Sequence, residues 1–413
     1  MKGEKGKPKF KTAKEDEPPA KSPKMNINLK ETWGKSVKNE KIKIDRIKTV
    51  RLDKTDLPED LEFKGYEEKI IQNIIMQTDN VLYRMEKYYS PSLGKTYIAE
   101  LDSHLTGTSF GPETKALINA LYFENRVTEN KIASFLNSNG LHISEGTISN
   151  VLTKGEAAVL TGIKNEIFKS GLESSAYQQI DDTGMNISGR NGYATIIGNE
   201  KYSIYSIRTS KSRETVISLF PPEMPDKFTV LVGDDAPQFK KITSRYALCW
   251  VHEERHYKKL VPILEIHREE LENKRAEIWE YYDKLQDYKE APTRRKKKKL
   301  WDDFDKLFNY ETGYEELDNR MSLTLGKKSE LLTVLDYPEI PLHNNLSENG
   351  LRELVIKRKI SGGVKSVDGI KAWENNMSIL STCKKLGVSF YEFMKGVFYE
   401  DIIISLPDLI ASS

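Results

Sequence analysis

The stretch Ala176–Ile187, AYQQIDDTGMNI, reads as a strand that runs into two adjacent carboxylates, Asp181 and Asp182, before Thr183 and Gly184 turn the chain. One acidic residue at a strand end is ordinary turn chemistry, because Asp bonds its own backbone there. Two raise the question of which cation they hold and which acids join them. A second strand ends the same way: TVLVGDD, residues 229–235, stops on Asp234 and Asp235. Like charges gathered at one sheet edge repel unless cations or bases compensate them.

Working outward, SAYQQID (175–181), GYATIIG (192–198) and YSIYSIR (202–208) are three strands with short turns, the pattern of an antiparallel meander. A helix in SRETVISLF (212–220) and strands in KFTVLVGD (227–234) and RYALCWV (245–251) follow. Their longer connections suit parallel additions to the same sheet. The first and fourth strands then lie side by side, and Asp181 and Asp234 meet at one edge. A third acid, Glu348, sits one turn into a helix that starts in HNNLSENGLREL (343–354). Clustered carboxylate oxygens suit Mg²⁺ or Mn²⁺. Two such ions about 3.5–4 Å apart clamp the attacking and leaving oxygens of a phosphoryl transfer. Each acid also has a plain reading: Asp starts turns, and Asn345-x-x-Glu348 fits a capping box.

The chain has 413 residues, enough for two or three domains, and no apolar run long enough to span a membrane. Two cysteines, Cys249 and Cys383, exclude a disulfide framework and point to a reducing cytoplasm. Net charge is only +2, but residues 1–50 hold 15 Lys/Arg against 7 Asp/Glu. This basic, mostly disordered arm is either a polyanion contact or a solvated linker. Residues 51–107 carry β-branched and aromatic runs broken by QTDN and SPSLGK, the pattern of a small antiparallel β-module. Residues 108–170 are helical. Thr128 and Ser144 are placed to cap two short helices joined by a turn at Gly140, which fits a helix-turn-helix or a helical hairpin that only packs. In the first case Thr147, Ser149 and Asn150 face the major groove. The sheet spans 171–260, and 261–340 is an all-helical insertion containing the basic run Arg294–Lys299. Residues 341–413 complete the core with C-terminal helices. Cys249, His252 and His256 have a spacing that only loosely suggests zinc, and buried structural roles suit Cys249 and His252 better.

Taken in order, IDDTG (180–184), VGDDAPQF (232–239), ALCWVHEERHYKKL (247–260) and IPLHNNLSENGLREL (340–354) resemble the core motifs of DDE transposases of the insertion-sequence sixty-six type. The resemblance covers about residues 105–400. It implies an α/β, RNase H-like mixed sheet with a helical insertion, and a catalytic, metal-binding triad of Asp181, Asp234 and Glu348 using two Mg²⁺ or Mn²⁺ ions. It also implies binding to terminal inverted repeats and target DNA, a homodimer or higher oligomer on DNA, and a cytoplasmic, nucleoid-associated protein. Lys357, Arg358 and Lys359, on the helix of Glu348, are expected to hold phosphates. Relatives often carry an N-terminal coiled coil and a Cys-rich zinc segment, so a truncated or remodelled N-terminus is expected here. Two other functions suit the same residues: a catalytically silent DNA-binding regulator, and a structure-selective endonuclease that cuts without joining.

Overall fold

A computed structural model describes residues 42–53, 55, 58, 60–221 and 230–412. Most of the basic arm therefore lies outside the described residues, as does the start of the strand expected from Lys227. The chain divides into two compact units, Met1–Met76 and Gln77–Ser413. The described residues of the first unit form no helix or strand, and Ile71, Ile74 and Ile75 stay exposed.

The β-module expected over 51–107 is reduced to one hairpin in the second unit, β1 (Lys87–Ser90) and β2 (Lys95–Ile98), paired antiparallel. The apolar run before it has strand-like composition but no partner to pair with. A hairpin alone buries little, and Tyr88, Tyr89 and Tyr97 remain exposed.

Helices α1 (Pro112–Asn119), α2 (Glu129–Ser138), α3 (Glu145–Thr153) and α4 (Ala157–Glu173) follow. A π-helical turn, Ala120–Glu124, extends α1. Ser144 caps α3 as expected, its hydroxyl accepting from Thr147 N at 3.1 Å. Thr128 occupies the cap position of α2 without a side-chain cap bond. Gly140 takes φ +93° in the turn between them, where a side chain would be strained. The Asn137 side chain fastens this turn by bonding both Ile143 N and Ile143 O.

The core sheet has five strands: β3 (Tyr177–Ile187), β4 (Arg190–Gly198), β5 (Ser203–Arg208), β6 (Val230–Gly233) and β7 (Tyr246–Leu248), in the order β5-β4-β3-β6-β7. The first three form the expected antiparallel meander. β6 pairs parallel to β3 with Gln179 opposite Val232, and β7 pairs parallel to β6. A short helix α5 (Arg213–Ile217) lies in the long connection. Ile180, Ile196, Val230, Leu231 and Val232 are buried, so burial on both faces explains the continuous apolar run of β6.

Beyond the sheet come α6 (Trp250–Lys258), α7 (Glu265–Glu290), α8 (Arg294–Phe308), α9 (Glu315–Leu325) and α10 (Lys328–Leu331). They pack around Trp250, Tyr281 and Phe304, whose rings lie 5.5–6.1 Å apart. α11 (Asn345–Ser361) crosses β3 and β4, α12 (Val367–Lys385) covers β5, and α13 (Phe390–Phe398) and α14 (Leu406–Ser412) close the chain. Among the described residues no helix is long and apolar enough to cross a membrane.

α11 approaches the sheet through Gly350. A Cβ there would collide with Ile196 Cδ1, and Tyr205 already donates to Gly350 O at 3.0 Å. Gly350→Ala is therefore expected to destabilise the fold by about 1–3 kcal/mol, the usual cost of overpacking a filled core. Denaturant unfolding measures this, and an unchanged midpoint would contradict the close approach.

Candidate active site

The parallel register of β3 and β6 sets the site. Two steps past Gln179 opposite Val232, Asp181 comes level with Asp234, the first residue beyond β6. Tyr246 on β7 fixes the second position by donating its hydroxyl to Asp234 O at 2.5 Å. Glu348 lies in the first turn of α11, and two buried polar side chains, Asn344 and Gln179, stitch that helix start to β3 through three hydrogen bonds. Asn344 Nδ2 donates to Ile180 O at 2.9 Å, Gln179 Nε2 donates to His343 O at 3.2 Å, and Gln179 Oε1 accepts from Ser347 N at 3.4 Å. The residue at the cap position is Asn344, not Asn345, and its side chain serves β3 instead of closing a capping box.

Within each Asp-Asp pair the two carboxylates have different surroundings. Asp182 accepts from Gln238 Nε2 at 2.9 Å and faces Arg208 at 3.7 Å and Lys211 at 3.6 Å. Asp235 is ion-paired to Lys240 at 2.5 Å and Lys327 at 2.6 Å. Asp181 instead lies against other acids. Burial first, then the charge of Asp234, push its carboxyl up to about 7, with Glu348 and Asp182 adding to the shift and the Asp182 amide opposing it. Asp234 is also pushed up, chiefly by burial, and is partly relieved by the Ala236 amide at 3.1 Å and by His252.

The segment CWVHEER supplies the cations. Cys249 is the buried N-cap of α6, and its sulfur accepts from Asn344 N at 3.3 Å. It ties α6 to the start of α11, and burial raises its thiol above the usual range. One turn on, His252 Nε2 lies 3.2 Å from Glu348 Oε1. One further turn on, Arg255 grips both Glu348 oxygens, each at 3.1 Å. Arg255 escaped the sequence reading, although Cys249, His252 and Arg255 recur every three residues along one helix face. Among the described residues no three His, Cys, Asp or Glu side chains form a ready metal cage, and the loose zinc spacing gathers none.

The three basic residues expected to hold phosphates diverge. Nine residues separate Glu348 from Lys357, two and a half helical turns, so they lie on opposite faces of α11. Lys357 is buried and does not reach the site. Its Nζ donates to Tyr122 O at 2.7 Å and sits 3.4 Å over the Tyr122 ring, with Phe123 and Trp373 beside it. Arg358 donates to Gly184 O. Lys359 is exposed and shares the face of Glu348 about 16 Å further along the helix. On α3, Asn150 is exposed, and Thr147 and Ser149 are half-buried above the buried Ile148 and Leu152.

Aromatic faces favour the Lys357 cation, but burial outweighs them and lowers its amine to about 7. The unfolded chain keeps the ordinary value of 10.5 and so binds the proton more tightly between the two. Stability is therefore expected to rise as pH climbs from about 7 to about 10. Lys357→Met should flatten that rise and leave DNA affinity unchanged. Melting curves across this range check it, and an unaltered slope would refute it.

Residues 107–372 match the Transposase IS66 family. An uncharacterized protein, y4jO, of Sinorhizobium fredii is 42% identical over 166 residues, covering 40% of this chain and 51% of that relative. The chain thus spans about half the length of the curated relative it matches. With the family matched across the sheet, the insertion and the start of α12, the chain belongs to the IS66 family of transposases.

Proposed function

We propose that the chain cuts and joins DNA as a DDE transposase with an RNase H-like core, using Asp181, Asp234 and Glu348 to hold two divalent cations. One observation carries this reading. The first Asp of each pair meets the other at the sheet edge beside the start of α11, while the second Asp of each pair is already ion-paired. A carboxyl pushed up to about 7 by its burial and then by neighbouring acids marks a place where positive charge is wanted. Asp181 and Asp234 fit hard cations as they stand, and Glu348 joins them by giving up Arg255.

The ions, when bound, would stabilise charge on the attacking and leaving oxygens of an in-line displacement. The chain's own residues do the rest. Arg255, once released, turns a planar guanidinium towards a phosphate, which it suits as well as a carboxylate. His252 stays beside Glu348 and Asp234 and keeps the third carboxylate oriented. Thr147, Ser149 and Asn150 on α3, with the basic arm, bind element ends, and Lys359 contacts backbone further along. No covalent protein–DNA link is required, so no Ser or Tyr nucleophile is involved.

The grip of Arg255 on Glu348 favours a second reading, a DNA-binding regulator without catalysis. Labelled element ends incubated with Mg²⁺ and run on a gel separate the readings. Nicked and joined products support the transposase, nicks alone point to an endonuclease, and bound but intact DNA identifies the regulator.

A further inference from the structure

Six consecutive cations, Arg294 to Lys299, open α8 in the helical insertion. The start of a helix is the positive end of its dipole and disfavours cations. Like charges three and four residues apart repel as well. No acidic residue occupies the first turn, where Thr293 caps the helix by accepting from Lys296 N at 3.2 Å. Lys297 pairs with Asp336, and Lys296 Nζ donates to Ala291 O at 3.1 Å. Arg294, Arg295, Lys298 and Lys299 are exposed, and among the described residues they have no ion pair.

These four side chains fill an arc of about 140° around the helix, given 3.6 residues per turn. The opposite arc holds the buried Leu300, Phe304 and Phe308. Asp336, the partner of Lys297, also lines a hollow of about 450 Å³ of mixed charge, with Glu330, Lys240, Lys241 and Arg245. The cations stand on a rigid rod about 9 Å long. Along that length duplex DNA presents about five phosphate charges. Single strands are held by aromatic stacking as well, and here the neighbouring ring, the partly exposed Trp301, already has the Lys328 ammonium 4.3 Å from its centre.

We propose that this face of α8 binds the sugar-phosphate backbone of duplex DNA regardless of sequence, as a contact separate from α3 and the N-terminal arm. The inference rests on the DNA-handling role above and locates a second DNA surface on the insertion. It makes the cation run a binding feature that costs the free helix some stability.

The test uses the full chain with EDTA, so that no cleavage occurs, and a fluorescent mixed-sequence duplex titrated at several salt concentrations. Arg294→Gln, Arg295→Gln, Lys298→Gln and Lys299→Gln are combined in one variant. The log–log salt slope is expected to fall by about 3 to 4 units, at about 0.9 per phosphate contact, and low-salt affinity by about a hundredfold. The melting temperature should hold or rise, because repulsion at the helix start is relieved. Parent-like slope and affinity in the variant would overturn the inference while leaving the transposase reading intact. Equal competition by duplex RNA would overturn the assignment to DNA. A parent that binds no duplex at all would overturn both readings.

Discussion

Asp181→Asn is expected to abolish DNA cleavage and joining, lowering both by at least three orders of magnitude, about 4 kcal/mol or more of transition-state stabilisation. The substitution keeps size and hydrogen-bonding capacity but removes one anionic oxygen ligand, and hard cations bind through such oxygens. Asp234→Asn and Glu348→Gln should behave alike. Asp182→Asn and Asp235→Asn should cost far less chemistry, because those carboxylates answer to Lys211 and Arg208, and to Lys240 and Lys327. DNA affinity should hold or rise in the Asp181 variant, since an anion facing phosphates has gone. A second readout needs no substrate. Asp181 titrates at about 7 in the folded chain against an ordinary 3.8, so the unfolded chain gives up its proton first. Metal-free stability should then fall as pH rises from about 4 to about 7, by up to about 4 kcal/mol. Asp181→Asn should remove most of that fall. Gel assay and pH-dependent melting check both effects. An Asp181 variant that cuts as the parent does, beside an inert Asp182 variant, would reverse the assignment within the pair.

Arg255→Gln should split binding from chemistry. The guanidinium competes for both oxygens of Glu348, so its removal is expected to tighten Mn²⁺ binding by about tenfold, the equivalent of about 1.4 kcal/mol. Cleavage should nonetheless fall by about 10²–10³, the usual loss when one positioned donor to a transition-state charge is removed. Without metal the variant should melt lower, because Glu348 keeps only His252, and added Mn²⁺ should restore most of the difference. Titration of Mn²⁺ followed by electron paramagnetic resonance gives the affinity, and single-turnover cleavage gives the rate. Unchanged Mn²⁺ affinity would show that the ion pair does not oppose metal, and weaker affinity would make Arg255 a purely structural support.

The parallel neighbour was legible from connection length, but only β6 stops at its acid pair: β3 runs on through Asp181, Asp182, Thr183 and Gly184 to Ile187, paired with β4, so the turn expected there is strand. The choice inside each pair was not legible. Alternation assigns Asp181 and Asp182 to opposite faces but does not say which face meets α11, whose start bonds the Gln179 side chain and Ile180 O. The capping-box reading of Asn345 failed for the same reason, as tertiary bonds to β3 claimed the side chain at the helix start. Lys357 was assigned to phosphates by nearness in sequence, although helical geometry sets it half a turn away from Glu348. The β-module failed for want of partners. Apolar runs from Ile70 to Met85 have strand-like composition, but a strand needs a neighbour to satisfy its backbone. Arg255 was missed because a cation among acids looks like ordinary surface pairing until its partner is known.

The stitching of α11 to β3 has a consequence for how the protein comes into being. Its three acids stand at positions 181, 234 and 348, so the last arrives only after the whole helical insertion has been synthesised. Contacts between residues this distant close late, after local helices have formed. A ribosome-bound chain therefore has synthesised α2–α3, the DNA contact of the proposed function, well before it holds a complete set of carboxylates. A chain broken off between α3 and Glu348 retains the α2–α3 segment but never gains the third carboxylate. On the proposed function, such fragments would occupy element ends without processing them, and premature termination would yield competitors of the intact protein.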